Sequence, residues 1–307
     1  MSQSATLSKA ALPAESKTLY DPAPAVRHKG KGFNWGRLVR YLLLLFFLVV
    51  VLIPVYVLVI TSFKEGATAS QAWYLPENWS LENWKAAWMG YKGLPAIGPA
   101  LGRTVGMVVP AAIISSFLGS MNGFVLSRWR FPYANVVFTL ILFGMFIPYQ
   151  SVMVPLYQIV HGLGLPAGTP SLIFLHVVYG IPITTLIFRN YYESVPHELI
   201  ESARVDGAGM LSTYARVVLP LSVPSFVVVL IWQFTSAWND FLFALFFSSG
   251  NNGPVTLALY SMAGGSMLQD YGASMAGAIM ASLPTLLVYI LLGKYFVGGL
   301  MSGSVKG

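Results

Sequence analysis

The amino-acid sequence contains no cysteine and few charged residues. The absence of cysteine excludes a disulfide framework, a cysteine-ligated metal site and a thiol nucleophile. Charged residues make up 9% of the 307 residues, against roughly 25% in ordinary soluble domains. Apolar residues make up 56% of the chain. This composition predicts an integral membrane protein.

The sequence also lacks the motifs of an enzyme or of a nucleotide-binding protein. A phosphate-binding loop is absent, since both Gly-Lys pairs, Gly30-Lys31 and Gly293-Lys294, lack the upstream glycine and the downstream hydroxyl that it needs. The histidines show no metal-ligand spacing, and no zinc-protease or serine-hydrolase motif is present. We therefore predict no catalytic residue, no metal site and no cofactor bound by this chain. His176 is interpreted as a packing residue of a membrane helix, with a proton relay as the alternative.

Six stretches of at least ~18 largely apolar residues predict six transmembrane helices. Their approximate ranges are Leu38 to Ser62, Pro99 to Ser127, Ala134 to Val160, Ser171 to Arg189, Pro224 to Phe247 and Ala273 to Phe296. Prolines within the third and fourth stretches, among them Pro148, would kink those helices. The predicted fold class is an all-α, six-helix transmembrane bundle.

The net charge of +7 follows the expected membrane topology and does not indicate a nucleic-acid partner. With a cytoplasmic N-terminus, seven of the 18 basic residues lie in the leading tail between Lys9 and Arg40, and seven more lie on the same side further along. The basic residues left on or near the outer side are Lys64, Lys85, Lys92 and Arg103. The positive-inside rule then predicts a multi-pass protein of the cell membrane with both termini in the cytoplasm.

The segments around the bundle differ in composition. Residues 1–37 are rich in Ala, Ser, Pro and Lys and predict a disordered basic tail, and residues 38–62 form a first helix that stays as an anchor. Residues 63–98 interleave aromatic and polar side chains, which suits either the outer membrane interface or a contact for a protein that delivers a ligand. We place the transmembrane domain at 99–296 and a cytoplasmic C-terminal tail at 297–307.

A charged loop interrupts the apolar second half of the chain, and we name residues 190–222 the elbow. Acidic and basic side chains stand there among small residues, between two apolar spans. Such a loop on one side of a membrane protein predicts contact with a soluble partner. The alternative is an amphipathic connector that lies on the membrane surface.

Within the elbow, the turn residues predict two short helices. Pro196 can open the first helix and glycines can end it, which predicts a helix from about Pro196 to Ala208. Leu199, Ala203 and Gly207 recur at four-residue intervals and give this helix one face of little bulk. Ser212 is the expected cap of a second helix, which Leu219-Pro220 together with Pro224 would stop before the fifth span begins.

The elbow resembles the EAA signature of ABC importer permeases. That signature has the pattern E-A-A, three residues, G, nine residues, I, one residue and L-P. The corresponding residues are Glu201, Ala203, Gly207, Leu219 and Pro220, with Ser202 at the middle alanine and Val217 at the isoleucine. The run Trp238-Asn239-Asp240-Phe241 and the Val-Lys-Gly ending resemble the carbohydrate-uptake branch, the maltose-type permeases. The resemblance covers roughly Pro99 to Gly307.

This resemblance implies a permease subunit of an ATP-driven importer, which forms half of the pathway for a mono- or oligosaccharide. It implies as partners a second homologous permease, an ATPase dimer that binds the ATP, and an extracytoplasmic sugar-binding protein. It also implies that the elbow docks in a cleft of the ATPase as a coupling helix. The expected docking residues are Glu198, Glu201, Ser202, Ala203, Asp206, Gly207, Ala208, Leu219 and Pro220.

The fifth predicted span carries the candidate translocation path or gate. Asp240 is the only acidic residue within the six predicted spans, and a polar group at that depth is costly unless it faces a cavity or a partner. Amides, hydroxyls and an aromatic plane suit a neutral polyol such as a sugar, but the same groups can instead form hydrogen bonds between helices. The candidates are Gln233, Thr235, Trp238, Asn239 and Asp240.

Two other function classes remain open from the residues alone. A secondary transporter of a small polar solute, driven by an ion gradient, would be expected to show inverted repeats with broken helices and more buried carboxylates than Asp240. A membrane scaffold without transport activity is disfavoured by the kinked, polar helices. Nothing in the sequence identifies the sugar.

Overall fold

The computed structural model describes residues 35–66, 73–90, 93, 95–129, 131–248, 252–264 and 271–302, without the side chains of 294 and 296–302. Most of the predicted leading tail and the last five residues of the predicted C-terminal tail lie outside the described residues. By the clustering of its Cα atoms the chain divides into Met1–Val51 and Leu52–Gly307, so the boundary falls inside the first helix. The elements that bear on function belong to the second unit.

The described residues form helices and no β-strand, which confirms the predicted all-helical fold. Four helices are long and apolar enough to span a membrane. They are α1 (Trp35–Ser62), α3 (Ile97–Arg128), α6 (Thr169–Ser194) and α13 (Tyr271–Ser302). Helix α13 continues through the first residues of the predicted C-terminal tail. Two bent helix pairs raise the number of spans to six if each pair is counted as one.

The third predicted span is the first of these bent pairs. Its segments Ala134–Phe146 and Tyr149–Gly162 meet at an angle of 87°. Each segment combines an α-helix, α4 (Ala134–Phe143) or α5 (Met153–Gly162), with a short 3₁₀ turn. Pro148 causes the break, because it lacks a backbone N–H and disfavours helical geometry in the residue before it.

The fifth predicted span begins and ends close to its predicted bounds but is interrupted near its C-terminal end. The expected single helix from Pro224 to Phe247 is replaced by α10 (Val223–Trp238) and α11 (Leu242–Phe247), with Asp240 in the gap between them. At the other end, α10 forms the second bent pair with Met210–Leu221, at an angle of 79°. The carboxylate of Asp240 accepts hydrogen bonds from the amides of Phe243 and Ala244 in the first turn of α11.

Helices α3 and α6 pack together through small residues. A Cβ atom at Gly119 of α3 would lie 2.8 Å from the backbone carbonyl carbon of Thr184 on α6, and one at Gly123 would lie 2.8 Å from the amide nitrogen of Arg189. The hydroxyl of Thr184 donates to the carbonyl oxygen of Ser115 across the helix pair, at 3.1 Å. Small residues spaced by four are a common contact face of membrane helices, because they let two backbones approach closely.

Helices α2 (Glu82–Met89) and α12 (Val255–Gly264) pack against α13 at one end of the bundle. The side-chain amide of Asn83 in α2 donates to the carbonyl oxygens of Ser62 at 3.2 Å and Lys64 at 2.5 Å. The amide N–H of Val255 in α12 donates to the hydroxyl of Thr104 in α3, at 2.8 Å. Several aromatic side chains of the predicted outer segment stay exposed at this end, namely Trp73, Tyr74, Trp79 and Trp88.

Candidate functional site

The first helix of the elbow, α7 (His197–Val205), ends three residues before its predicted end. Beyond it the amide of Gly207 donates to the carbonyl oxygen of Arg204 at 3.0 Å, and the amide of Ala208 donates to that of Ala203 at 2.9 Å. Gly207 has a φ of +80°, a conformation in which a Cβ is unfavourable. Gly207 is therefore required for the backbone turn that ends the helix.

The second arm of the elbow differs from its prediction. It begins at Met210, directly after Gly209, so Ser212 lies inside a helix and is not its cap. Pro220 falls in the first turn of α9 (Leu219–Leu221), after a π-helical turn at Tyr214–Val218, and the arm ends one residue later, before α10 begins at Val223, as predicted. Since the amide of Leu219 bonds to the carbonyl five residues back, the widened turn gives the proline ring room.

The two arms, α7 and α8 (Met210–Thr213) with its extension to Leu221, enclose a cavity of about 400 Å³. Four of the predicted docking residues line it, Ala203, Asp206, Gly207 and Ala208. The others lie outside the lining: Glu198, Glu201, Ser202 and Pro220 are exposed and Leu219 is half-buried. Of the small face predicted from the sequence, Ala203 and Gly207 thus line a concavity that opens to the exterior, and Leu199 does not.

A buried cluster ties the elbow to the bundle. Ile200 of α7 is 1% exposed and packs with aromatic residues of α3 and α6. The hydroxyl of Ser120 in α3 lies 2.5 Å from the Tyr192 hydroxyl and 2.8 Å from the Tyr214 hydroxyl, and the Ser222 hydroxyl donates to that of Tyr192 at 3.0 Å. Interior hydrogen bonds of this kind fix the arrangement of the groups that make them. A displacement of the elbow therefore acts on α3 and α6 together.

A second cavity, of about 350 Å³, lies at the opposite end of α10. Three of the predicted path residues line it, Gln233, Asn239 and Asp240. Polar and aromatic side chains from other helices complete the wall, including Tyr149, His176, Tyr179 and Trp232. The cavity thus combines amides, a carboxylate and rings, which is the chemistry expected for a polyol site.

Asp240 is held in place at this cavity by backbone groups. Its carboxylate oxygens accept hydrogen bonds from the amides of Phe243 at 3.4 Å and Ala244 at 3.2 Å. Its backbone carbonyl accepts a 2.6 Å hydrogen bond from the Thr256 hydroxyl of α12. The Nε2 atom of His176 lies 3.6 Å from the Asp240 Oδ2 atom, which is longer than a hydrogen bond.

Gln233 both lines the cavity and links two helices. Its side-chain amide donates to the Ser115 hydroxyl of α3 at 2.8 Å. A Cβ at Gly180 of α6 would overlap this amide, so the glycine makes room for it. Gln233 therefore forms the hydrogen bond between helices that was one interpretation, while its role as a substrate contact stays a prediction.

Thr235 and Trp238 do not line the cavity. The Thr235 hydroxyl donates to the Ile231 carbonyl of its own helix at 2.8 Å. The indole of Trp238 is 2% exposed and donates to the Ala281 carbonyl of α13 at 3.0 Å. Trp238 thus forms a hydrogen bond between helices, which was the alternative interpretation of the polar residues in this span, whereas the Thr235 bond stays within α10.

The sequence matches a protein-family model over residues 111–300, a range that contains the elbow and both cavities. The model describes the inner membrane component of binding-protein-dependent transport systems. The chain belongs to this family. It is a permease of the ABC importer type. The members of this family are transport components and not enzymes.

Individual relatives agree with this membership. A xylose/arabinose import permease protein of Haloferax volcanii is 32% identical over 87% of this permease and 93% of the relative. A probable ABC transporter permease protein of Pyrococcus horikoshii is 48% identical over 55% of this permease and 61% of the relative. These relatives favour an importer permease over the ion-gradient transporter that the sequence alone left open.

A solved structure shows the same fold. It is a bacterial ABC transporter involved in the import of the acidic polysaccharide alginate, whose matching chain superposes with a TM-score of 0.72 at 20% identity. The match covers 85% of this permease and 96% of that chain. The bundle with its bent helices is therefore the fold of an ABC importer permease.

Sequence reasoning about the permease missed several residues that build these sites. Arg128 counted only as a topology marker, but its guanidinium donates to the backbone carbonyls of Tyr192 and Val195 at the end of α6. Tyr149 and Tyr179 were not singled out, because aromatic residues in an apolar span give no signal of their own. A basic residue in the last turn of a membrane helix was the available clue to Arg128, since it can bond free carbonyls there.

Arg128→Met is expected to loosen the start of the elbow while leaving the bundle folded. The two carbonyls at the end of α6 would lose a charged donor, and such hydrogen bonds contribute about 1.5–3 kcal/mol. Hydrogen–deuterium exchange of residues 193–200 should rise, whereas exchange within α3 should not change. Arg189→Met is the matched control, because Arg189 bonds to the side chains of Asn135 and Glu193. Equal exchange in both variants would contradict the role of Arg128 in holding the end of α6.

Proposed function

We propose that this permease forms half of the transmembrane pathway of an ATP-driven sugar importer. The observation that carries the proposal is the pairing of two concavities along one stretch of chain, one in the exposed elbow and one at the far end of α10. The elbow receives force from a partner and the second cavity receives the solute. A second, homologous permease supplies the other half of the pathway.

The elbow is the proposed docking site for an ATPase dimer, which binds and hydrolyses the ATP. The turn at Gly207 and the alanines at 203 and 208 leave a floor without bulk, which permits close approach. Acidic groups, among them Glu201 and Asp206, stand exposed around it and can orient a basic partner surface. With the elbow and both termini in the cytoplasm, the positive-inside rule is satisfied.

The proposed solute is a mono- or oligosaccharide handed over by an extracytoplasmic binding protein. The polar and aromatic wall of the second cavity suits hydroxyl groups and the C–H faces of a sugar ring. The import of xylose and arabinose by a relative that aligns with most of the chain supports the same class. The exposed rings at the α2 end form the proposed contact for the binding protein, since aromatic side chains are enriched in protein interfaces.

A charge-reversal test separates docking from general damage. The double variant Glu201→Arg/Asp206→Arg should no longer retain the ATPase when the transporter is purified, because the repulsion acts at the docking surface. The control Glu77→Arg/Glu82→Arg makes the same change at exposed residues of the outer segment. It should retain the ATPase in full. Retention by the elbow variant would refute the docking site.

The substrate class is tested in the complete transporter with its binding protein, reconstituted in liposomes. A panel of sugars, amino acids and short peptides is screened for stimulation of ATP hydrolysis and for uptake. We expect stimulation by one or more sugars and by none of the amino acids or peptides. Stimulation confined to amino acids or peptides would refute the sugar assignment.

A further inference from the structure

The wall of the second cavity holds a buried imidazole nitrogen without a bonding partner. His176 is 8% exposed, and among the described residues no atom makes a hydrogen bond to its Nε2. The edge of the Phe243 ring fixes the imidazole, with centroids 5.6 Å apart and an interplanar angle of 81°. A buried polar atom is normally paired. The unpaired Nε2 atom therefore indicates that a ligand or a water molecule completes its bonding.

We propose that His176 and Asp240 together bind one hydroxyl group of the transported sugar, and that Asp240 makes the site selective for neutral sugars over sugar acids. This inference rests on the proposed function and names the residues that would set its specificity. The two side chains come from α6 and from the gap after α10, so the pair also joins two elements of the bundle.

A hydroxyl oxygen can lie beside the pair and reach both atoms, because His176 Nε2 and Asp240 Oδ2 are 3.6 Å apart. A hydroxyl oxygen at roughly 2.8 Å from both atoms can accept the Nε2 proton and donate its own proton to the carboxylate. A ligand carboxylate cannot take this position, because it has no proton to donate to Asp240. The pair is thus matched to a group that donates and accepts at once.

The charge of the cavity wall also favours a neutral ligand over an anionic one. Of the described residues that line this cavity, none is lysine or arginine, and Asp240 contributes the carboxylate. The amides of Phe243 and Ala244 approach the carboxylate only at 3.4 and 3.2 Å. An anionic ligand would meet a negative charge that no cation of the wall offsets, and like charges across a contact disfavour binding.

The aromatic side of the cavity gives a ring-shaped ligand a place to stack. Tyr149 and Tyr179 flank Phe243, with ring centroids 5.1 and 5.2 Å from it. Rings in this arrangement present apolar faces beside the polar pair, which is the combination that a pyranose needs. The side chains of His176 and Asp240 and the rings of Tyr149, Tyr179 and Phe243 line the same cavity.

The test uses the complete transporter in lipid nanodiscs without its binding protein, so that only the membrane site is probed. Equilibrium binding is measured for two matched pairs of radiolabelled sugars, D-glucose with D-glucuronate and D-galactose with D-galacturonate. The wild type should bind the neutral member of at least one pair more tightly by about tenfold, since a tenfold ratio needs only about 1.4 kcal/mol.

Three variants separate charge from hydrogen bonding, and a fourth is the control. Asp240→Asn keeps a polar group and should reduce the preference for the neutral sugar by about tenfold. His176→Phe should weaken neutral-sugar binding by about tenfold or more, and His176→Gln should restore most of it. Ser282→Ala, at an exposed hydroxyl that bonds to its own helix, is the control and should match the wild type.

Each outcome decides the proposal. Loss of the neutral preference in Asp240→Asn and rescue by His176→Gln would support it. Binding of neutral sugar to His176→Phe at wild-type strength would overturn the hydroxyl bridge and assign the gap to a buried water. An unchanged preference in Asp240→Asn, or no binding of any probe to the wild type, would overturn the selectivity. A transporter that imports sugars while these variants change nothing refutes this inference alone, whereas one that imports no sugar refutes the proposed function.

Discussion

Gly119→Leu is expected to abolish correct packing of the bundle and to lower its stability by about 3 kcal/mol or more, because overpacking at a backbone contact cannot relax. Even a Cβ at this position would lie 2.8 Å from the carbonyl carbon of Thr184 on α6. The helices α3 and α6 would have to separate, and the hydrogen bond from Thr184 to Ser115 would be lost. The variant should give little monodisperse protein in detergent and a lower midpoint of thermal unfolding.

The matched control is Gly106→Leu in the same helix. A Cβ there meets no atom within 4 Å, and the position is exposed on the outside of the described bundle. This variant should keep the wild-type yield and melting midpoint. If Gly119→Leu melted at the same temperature as Gly106→Leu, the close approach of α3 and α6 would be wrong.

Gly207→Glu should reduce ATP-dependent uptake by more than about tenfold while leaving membrane insertion intact, since a charged side chain would disrupt a tight docking surface. A Cβ at Gly207 meets nothing within 4 Å, so the substitution creates no clash inside the permease. The side chain would instead project from the lining of the elbow cavity. Uptake in proteoliposomes and the amount of ATPase bound are the two measurements.

The positive φ of Gly207 requires a control for backbone strain. Gly207→Ala places a methyl group in the same left-handed conformation, which costs about 1–2 kcal/mol whatever the partner. We expect Gly207→Ala to keep much of the uptake that Gly207→Glu loses. Equal loss in both variants would assign the effect to the turn itself and would remove the support for docking.

The sequence predicted the broad architecture because long apolar runs and turn residues act locally. The spans were placed from hydropathy, and the first elbow helix was placed from Pro196 and Gly207. The position of Gly207 as a helix end was also predicted, since a glycine after a short amphipathic helix usually serves this purpose. These signals need no knowledge of what packs against the segment.

The parts that the sequence did not predict depend on contacts between distant residues. The close packing of α3 and α6 needs Gly119 to face Thr184. Small residues in the sequence of a membrane helix do not indicate which other helix they contact. The gap at Asp240 escaped notice because the surrounding residues are apolar enough to continue a helix. His176 was interpreted as a packing residue, since only the fold brings its Nε2 atom to the cavity.

Ser222 is the one non-helical residue between α9 and α10. A hinge at this residue would let α10 move as a rigid arm between the elbow and the second cavity. The 16 residues of α10 span about 24 Å at about 1.5 Å per residue. A rigid tilt of roughly 10° at Ser222 would then move the Trp238 end by about 4 Å, within the range of hinge motions. That displacement exceeds the 3.6 Å between His176 and Asp240. A small rotation at the elbow would thus change the distance between the two groups proposed to bind a hydroxyl group.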